Sequence, residues 1–97
     1  MSKYTKSAKG QECQVRIPEI CNHDSETVVF AHLNGGGMGY KRPDIHGSYA
    51  CSDCHDVVDG RVPLNYSEWT RAEINALFLE GVIRTQEIMI KEGILIL

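Results

Sequence analysis

The stretch Cys51-Ser52-Asp53-Cys54-His55-Asp56-Val57-Val58-Asp59 decides the fold of this chain. Two thiols at Cys-x2-Cys spacing can hold one tetrahedral Zn²⁺ from a tight turn. The residues after Cys54 predict a short helix over 52–59 that stops at Gly60. On this helix His55 and Asp59 share a face, because they are four positions apart. The stretch therefore offers half of a structural zinc site and, beside it, a candidate second metal site.

A second pair of cysteines lies upstream. Cys13 and Cys21 are separated by seven residues, which is wider than a usual knuckle, but Pro18 predicts a turn that returns Cys21 towards Cys13. Two disulfides are the alternative for four cysteines. No signal peptide is visible, so a cytoplasmic chain is expected, in which paired cysteines with interleaved histidines favour metal. The sequence predicts one structural zinc ion with four thiolate ligands: Cys13, Cys21, Cys51 and Cys54.

Length and composition indicate one small domain over residues 1–97. The chain has 97 residues, of which 42 % are hydrophobic, and a net charge of −3. No apolar run approaches the ~18 residues of a membrane span, so no membrane contact is expected. The net charge argues against a strongly basic nucleic-acid binder. However, six lysines and arginines precede Cys51, and a basic N-terminal half could meet phosphate while an acidic C-terminal segment faces away.

The segments before Cys51 predict two strands joined by a loop. Residues 27–33 are β-branched and apolar and predict a strand, with His32 near its end. Residues 34–44 contain four glycines and predict a flexible loop. Residues 46–50 predict a second strand, antiparallel to the first, which delivers Cys51 to the helix. The result is a ββα unit within 11–60.

The ends of the chain predict helices. Residues 1–10 predict a basic arm or a short helix, and 65–92 predict a long helix with Asn65 as N-cap and Glu68 completing a capping box. The apolar tail 94–97 is a candidate edge strand. Apolar residues at helical spacing on the long helix predict a core stripe, with a partner-binding face as the alternative. This predicted core stripe consists of Trp69, Ala72, Ala76, Leu79 and Ile83, widened by Ile74, Leu77, Val82 and Met89.

The order of these features resembles the HNH (ββα-metal) endonuclease family. The resemblance rests on the paired cysteines, the strand-borne Ala31-His32-Leu33, the glycine-containing loop and Ala50-Cys51-Ser52-Asp53-Cys54-His55. More closely, residues 9–92 resemble a small prophage-encoded nuclease-like protein. The resemblance implies an α+β fold, a small zinc-stapled ββα-metal (HNH-like) domain with a long C-terminal helix.

The resemblance also implies roles for individual residues. His32 matches a histidine that acts as general base on water, and an imidazole, with an ordinary pKa of about 6.5, suits that task. His55 matches a ligand of the catalytic divalent ion, Mg²⁺ or another, and Asp59 matches a second ligand found in some members. From the residues alone, His55 could instead be a zinc ligand or a helix cap. The adjacent cations Lys41 and Arg42 are expected to contact DNA phosphates.

The implied function is a phage- or prophage-encoded, metal-dependent endonuclease that hydrolyses DNA in the bacterial cytoplasm. Two positions depart from the family. Ala31 stands where many members have a metal ligand, so Ala31→Asp is expected to raise a weak cleavage activity. His46 or Asp44 must stand in for the asparagine that orients the base. The alternatives are a non-catalytic, zinc-stabilised nucleic-acid- or protein-binding module and a phage protein that binds a host factor through its helix.

Overall fold

The computed structural model of the chain describes residues 3–32, 45–61 and 69–96, which build a small α+β fold. Its strand, strand, helix, long-helix order is the predicted one. The predictions for Lys41, Arg42 and Asp44 lie outside the described residues. The elements in chain order are α1 (Lys3–Ser7), a 3-10 turn (Ser25–Thr27), β1 (Val29–His32), β2 (Gly47–Ala50), α2 (Ser52–Val58) and α3 (Arg71–Lys91).

The two strands form an antiparallel ladder, as predicted, although each is shorter than its predicted range. His32 pairs with Gly47, and Phe30 pairs with Tyr49. A Cβ atom at Gly47 would collide with the ring of Phe30, so this close approach requires glycine. The ladder thus places His32 beside the start of β2, whereas the end of β2, at Ala50, leads into Cys51.

The long helix packs directly on the sheet. Thr85 on α3 contacts β2, where its Oγ1 atom accepts a 3.0 Å hydrogen bond from the Tyr49 N–H and lies 3.3 Å from Ser48 Oγ. A Cβ atom at Gly81 would lie 2.7 Å from Ser48 Oγ and 3.1 Å from the Gln14 carbonyl oxygen. The absence of a side chain at Gly81 therefore allows α3 to approach both β2 and the N-terminal segment.

The start of the long helix differs from the prediction. Thr70 is in extended conformation (φ −85°, ψ 162°) and caps α3, with Glu73 completing the capping box. A helix running without interruption from residue 65 is therefore wrong, while Asn65 and Glu68 lie outside the described residues. The sequence contains two capping-box patterns five positions apart, and local pattern alone does not choose between them. The predicted end is confirmed, because Gly93 (φ +75°) follows α3 closely.

The predicted core stripe on α3 is wrong for its principal members. Leu79 is 50 % exposed and Ile83 is 58 % exposed, and Ala72 and Ala76 are exposed as well. The helix turns its Gly81 side to the sheet, which rotates Leu79 and Ile83 outward. The buried residues of α3 are Ile74, Phe78, Gly81, Val82, Thr85 and Met89.

The chain after α3 is also not the predicted edge strand. The N–H groups of Ile94 and Leu95 both donate to the carbonyl of Met89, so the chain folds back on the last turn of the helix. Among the helices of the described ranges, none combines the length and apolar content needed to cross a bilayer. Residues 94–96 therefore pack against the C-terminal end of α3 and do not add a strand to the sheet.

Candidate metal centre

The structure brings together all four cysteines that the sequence singles out. Their Sγ atoms all lie within 4.8 Å of one another, and those of Cys21 and Cys51 are 3.8 Å apart. Two sulfurs that share a tetrahedral zinc ion with Zn–S bonds of about 2.3 Å are separated by about 3.8 Å. All four cysteines are free thiols. The cluster therefore has the donor set and the dimensions of a four-thiolate metal site.

The first two thiols are held by a knuckle, residues 13–21. The Arg16 N–H donates to Cys13 Sγ at 3.5 Å, and the N–H of Cys21 donates to the Ile17 carbonyl at 2.8 Å. Arg16 adopts a positive φ of 53°, which tightens the bend after Cys13. Ile17 is fully buried and anchors the turn that begins at Pro18. The predicted return of Cys21 towards Cys13 is thereby achieved.

The other two thiols lie at the start of α2. Cys51 is the N-cap residue, and its Sγ atom accepts a 3.4 Å hydrogen bond from the Cys54 N–H. Both residues are fully buried. The turn that forms the N-cap thus also places Cys51 Sγ within the cysteine cluster.

Hydrogen bonds and burial shift the pKa values of the clustered thiols in opposite directions. The Cys54 thiol donates a hydrogen bond that lowers the pKa of Cys13 to about 4. Burial raises the pKa of Cys21 to about 11, and donation to Cys13 raises the pKa of Cys54. One negative charge is thus stabilised by protonated neighbours. A divalent cation bound here would replace those protons and compensate the charge of further thiolates.

Two contacts that the sequence does not reveal hold the knuckle on the rest of the fold. The Gln14 N–H donates to the Tyr49 carbonyl at 2.8 Å, so the backbone directly after Cys13 is hydrogen-bonded to β2. Arg84 on α3 donates to the Gln14 carbonyl through Nη2 at 2.6 Å and through Nε at 3.2 Å. No local pattern indicates either contact, because each joins segments far apart in the chain.

A side-chain clamp fixes the segment after Cys21 to the start of α2. The Asn22 Nδ2 group donates to Ser52 Oγ at 3.3 Å and to Asp53 Oδ2 at 3.1 Å. Its Oδ1 atom accepts the Asp24 N–H at 2.8 Å. Composition alone indicates only a turn at Asn22. The clamp shows that this residue links the two halves of the cysteine cluster.

The candidate second pair of ligands lies on α2. His55 Nε2 and Asp59 Oδ2 are 3.0 Å apart, and the side chains are 23 % and 19 % exposed. Arg61 approaches the same carboxylate oxygen at 3.7 Å. His55 is thus paired with Asp59, and the four sulfurs form a complete ligand set without it.

His32 and Ala31 lie at the end of β1 in different environments. His32 is exposed, and its ring packs edge-on against Phe30 with ring centroids 5.2 Å apart. Ala31 is fully buried and pairs with Ser48, whose side chain faces α3. Among the described residues, no group of three or more potential ligands includes His32, His55 or Asp59. His46, which precedes β2, is half-buried.

The fold and the cysteine cluster define a small α+β protein with a four-thiol centre and one long C-terminal helix. The chain belongs to the family described as "Putative nuclease YbcO", which matches residues 2–94. It is 42 % identical to "Putative nuclease YbcO" of Escherichia coli (strain K12) and equally to "Putative nuclease ybcO" of Enterobacteria phage 82, covering 98 % of this chain and of each relative.

A solved structure also matches this chain. It is described as "Structure of a putative bacteriophage protein from Escherichia coli str. K-12 substr. MG1655", and it is similar to this chain with a TM-score of 0.78 and 42 % identity. The match covers 93 % of this chain and 99 % of the solved one. The predicted kinship with a small phage or prophage protein named as a nuclease is confirmed.

Proposed function

We propose that this protein is a phage- or prophage-encoded DNA endonuclease of the HNH type that depends on a divalent ion and acts in the bacterial cytoplasm. The names of its relatives support nuclease activity, and DNA follows as the substrate of a phage nuclease. The observation that carries the subtype is the His55–Asp59 pair at 3.0 Å on α2, the helix that directly follows the two paired strands in the chain.

The four cysteines are proposed to hold a structural zinc ion. Their sulfurs all lie within 4.8 Å of one another, close enough to hold one tetrahedral ion, and the site joins the knuckle to α2. Zinc would therefore fix the position of the helix that carries His55 and Asp59. The ion stabilises the fold in this proposal and takes no part in the chemistry.

His55 and Asp59 are proposed to bind the catalytic ion. Their Nε2 and Oδ2 atoms are 3.0 Å apart and both side chains are partly exposed, so these two residues would hold an ion within reach of substrate. When bound there, a divalent ion, Mg²⁺ or another, would supply charge stabilisation to the scissile phosphate and the leaving oxygen. His32 is proposed to take a proton from the attacking water, because its imidazole is exposed at the strand end.

Contacts with the DNA backbone are proposed for the basic residues. Lys41 and Arg42 in the sequence between the strands are the predicted phosphate ligands. The exposed cations of the N-terminal half, Lys6, Lys9 and Arg16, add positive charge to the described part of the chain. Each phosphate contact removed should reduce the salt slope of duplex binding by about 0.9.

One observation favours a rival function, a zinc-stabilised binding module without catalysis. Ala31 is fully buried, so the position that carries a metal ligand in many HNH enzymes offers none here. The catalytic ion would then have two protein ligands, His55 and Asp59, and an ion with so few protein ligands is held weakly. The rival keeps the zinc centre and the DNA contacts and lacks cleavage.

A plasmid-nicking assay separates the two functions. Wild-type protein with Mg²⁺ or Mn²⁺ is expected to nick DNA, and Asp59→Asn and His32→Ala are expected to lower the rate by about tenfold or more, since about 1.4 kcal/mol of lost transition-state stabilisation costs that factor. Asp56→Asn is the matched control, because Asp56 lies on the same helix and also approaches Arg61.

Zinc content and circular dichroism of each variant report whether it is folded. Absence of nicking by the wild type with every divalent ion, on duplex, single-stranded and branched DNA, would establish the binding module instead. A loss of activity in Asp56→Asn equal to that in Asp59→Asn would argue against the proposed ligand pair.

A further inference from the structure

One face of α3 presents apolar side chains to solvent. Leu79, Ile83 and Ile90 are 50 %, 58 % and 40 % exposed, and the alanines on the same face are exposed too. We define the apolar stripe as Ala72, Ala76, Leu79, Ile83 and Ile90. Large aliphatic side chains left in water along one helix face mark a surface that gains free energy when it is covered.

The spacing of the apolar stripe is that of a helix–helix seam. Ala76, Ile83 and Ile90 are seven residues apart, as are Ala72 and Leu79, so steps of four and three alternate from Ala72 to Ile83; the polar Gln86 occupies the next d position before Ile90. This is the a/d pattern of coiled-coil contacts. At 1.5 Å per residue, the stripe extends over about 27 Å, which is enough for five turns of a partner helix.

An acidic row follows one edge of the apolar stripe. Glu73, Glu80 and Glu87 are also seven residues apart, and all three are exposed. Each occupies an e position, directly after a d position of the seam. Residues at this position flank a helical seam and face charged residues of the partner. The acidic row therefore determines the charge that a well-fitted partner must carry.

The acidic row disfavours a second copy of this chain. In an antiparallel pair, e positions face e positions, so glutamates would meet glutamates. In a parallel pair, they would face Asn75, Val82 and Met89, and the last two are buried in the core. The nearby cation Arg84 is already bonded to Gln14 and lies 3.8 Å from Glu80.

The same row disfavours nucleic acid and anionic lipid, since both carry negative phosphate groups. What remains is a protein helix with the opposite charge. We propose that the apolar stripe and the acidic row bind an amphipathic helix of a partner protein whose apolar seam is flanked by lysine or arginine. The inference is independent of nuclease activity, because no residue of the metal centre or the His55–Asp59 pair belongs to this face.

Two synthetic helical peptides test the charge requirement directly. Both carry the same leucine seam, and one has lysine and the other glutamate at all flanking positions. Fluorescence anisotropy with the full chain is expected to show binding of the lysine peptide and at least about tenfold weaker binding of the glutamate peptide. Leu79→Asp/Ile83→Asp is expected to abolish binding of the lysine peptide.

Reversing the charge of the acidic row tests the charge requirement more strictly. Glu80→Lys/Glu87→Lys is expected to reverse the preference, so that the glutamate peptide binds better. Glu19→Lys/Glu26→Lys, at exposed positions outside α3, makes the same change in net charge and is expected to keep the wild-type preference. Circular dichroism and zinc content establish that each variant is folded, and Glu73 is left unchanged because it caps α3.

Several outcomes would overturn the proposal. They are no binding of either peptide, equal binding of both, a preference that follows net charge in the control variant, or retention of binding in Leu79→Asp/Ile83→Asp. Sedimentation velocity adds one more: a wild-type dimer that Leu79→Asp/Ile83→Asp converts to monomer would show that a second copy occupies the stripe.

Discussion

The guanidinium of Arg84 donates a 2.6 Å hydrogen bond to the main-chain carbonyl of Gln14, 70 positions earlier in the chain. Gln14 is only 4 % exposed and directly follows Cys13. This contact ties the long helix to the knuckle that presents two of the four thiols. The helix therefore supports the metal centre without contributing a ligand to it.

Removal of this contact is the first prediction. Arg84→Met keeps much of the aliphatic stem but leaves the Gln14 carbonyl without its charged donor, so we expect the free energy of unfolding to fall by about 1–3 kcal/mol. Urea unfolding measures the loss. Arg84→Lys is the comparison, because lysine keeps the charge but lacks the planar fork and should recover only part of it. Equal stability of Arg84→Met and wild type would mean that the contact is dispensable.

The zinc staple leads to the second prediction. Purified protein is expected to contain one zinc ion per chain, and Cys51→Ser is expected to lose the zinc and to be largely unfolded, because structural zinc contributes on the order of 10 kcal/mol. Elemental analysis and circular dichroism measure both effects. Asp56→Asn, on the same helix but outside the cysteine cluster and the Asn22 clamp, should retain zinc. Native protein without zinc, or with a Cys13–Cys21 disulfide, would contradict the staple.

Proton release gives a third prediction. The pKa of Cys21 is raised to about 11 and that of Cys54 is raised too, so both thiols are protonated at neutral pH in the metal-free fold. Cys13, with a pKa of about 4, is already a thiolate. Zinc binding must therefore displace protons from at least Cys21 and Cys54, and zinc affinity should rise with pH through the neutral range.

Calorimetric zinc titration in buffers of different ionisation enthalpy counts these protons. Release of two or more per zinc is expected at neutral pH. Zinc binding that releases none would mean that the cysteines are not the ligands.

Close packing at Gly81 supports the fourth prediction. Alanine favours helix over glycine by about 1 kcal/mol, yet a Cβ atom at Gly81 would lie 2.7 Å from Ser48 Oγ and 3.1 Å from the Gln14 carbonyl. Because a backbone atom cannot yield easily, we expect Gly81→Ala to destabilise the fold by about 1–3 kcal/mol. Urea unfolding tests this, and Gly81→Ala/Ser48→Ala should recover part of the loss. A stabilised Gly81→Ala would show that α3 can shift away from the sheet.

Most elements of the fold follow from local sequence signals, but the face by which α3 packs on the sheet depends on Gly81 and does not. The strands, α2 and the turn at Pro18 follow from local signals, namely β-branched residues, a Cys-x2-Cys turn and a proline. The buried face of α3 does not, because the helix docks by its smallest residue and turns Leu79 and Ile83 outward. Apolar periodicity identifies an amphipathic helix, but close approach to Ser48 and Gln14 decides which face is covered.

The candidate site divides in the same way. The sequence indicates the four thiols through their spacing and places His55 and Asp59 on one helix face, and the structure brings each set together. The contacts of Asn22 and Arg84 escape prediction, because they join distant segments through polar side chains of ordinary composition. Their positions become visible only when the chain is folded.

The last prediction concerns Ala31, where the sequence leads us to expect that a restored metal ligand raises cleavage. The structure argues for the opposite result. Ala31 is fully buried in the hydrophobic core and pairs with Ser48 on the face that α3 covers, so a carboxylate in Ala31→Asp would lose its hydration. Burial of such a charge without a partner costs about 3 kcal/mol or more, and a protonated carboxyl would bind no metal.

We therefore expect Ala31→Asp to lower the free energy of unfolding and to leave cleavage no faster than in the wild type. Urea unfolding with and without Mg²⁺, together with plasmid nicking, measures both quantities. Ala31→Ser is the control, because it adds a small polar group without a charge and should cost less. An Ala31→Asp protein that Mg²⁺ stabilises, or that nicks faster than wild type, would place residue 31 at the catalytic ion, because only a bound cation would offset the buried charge.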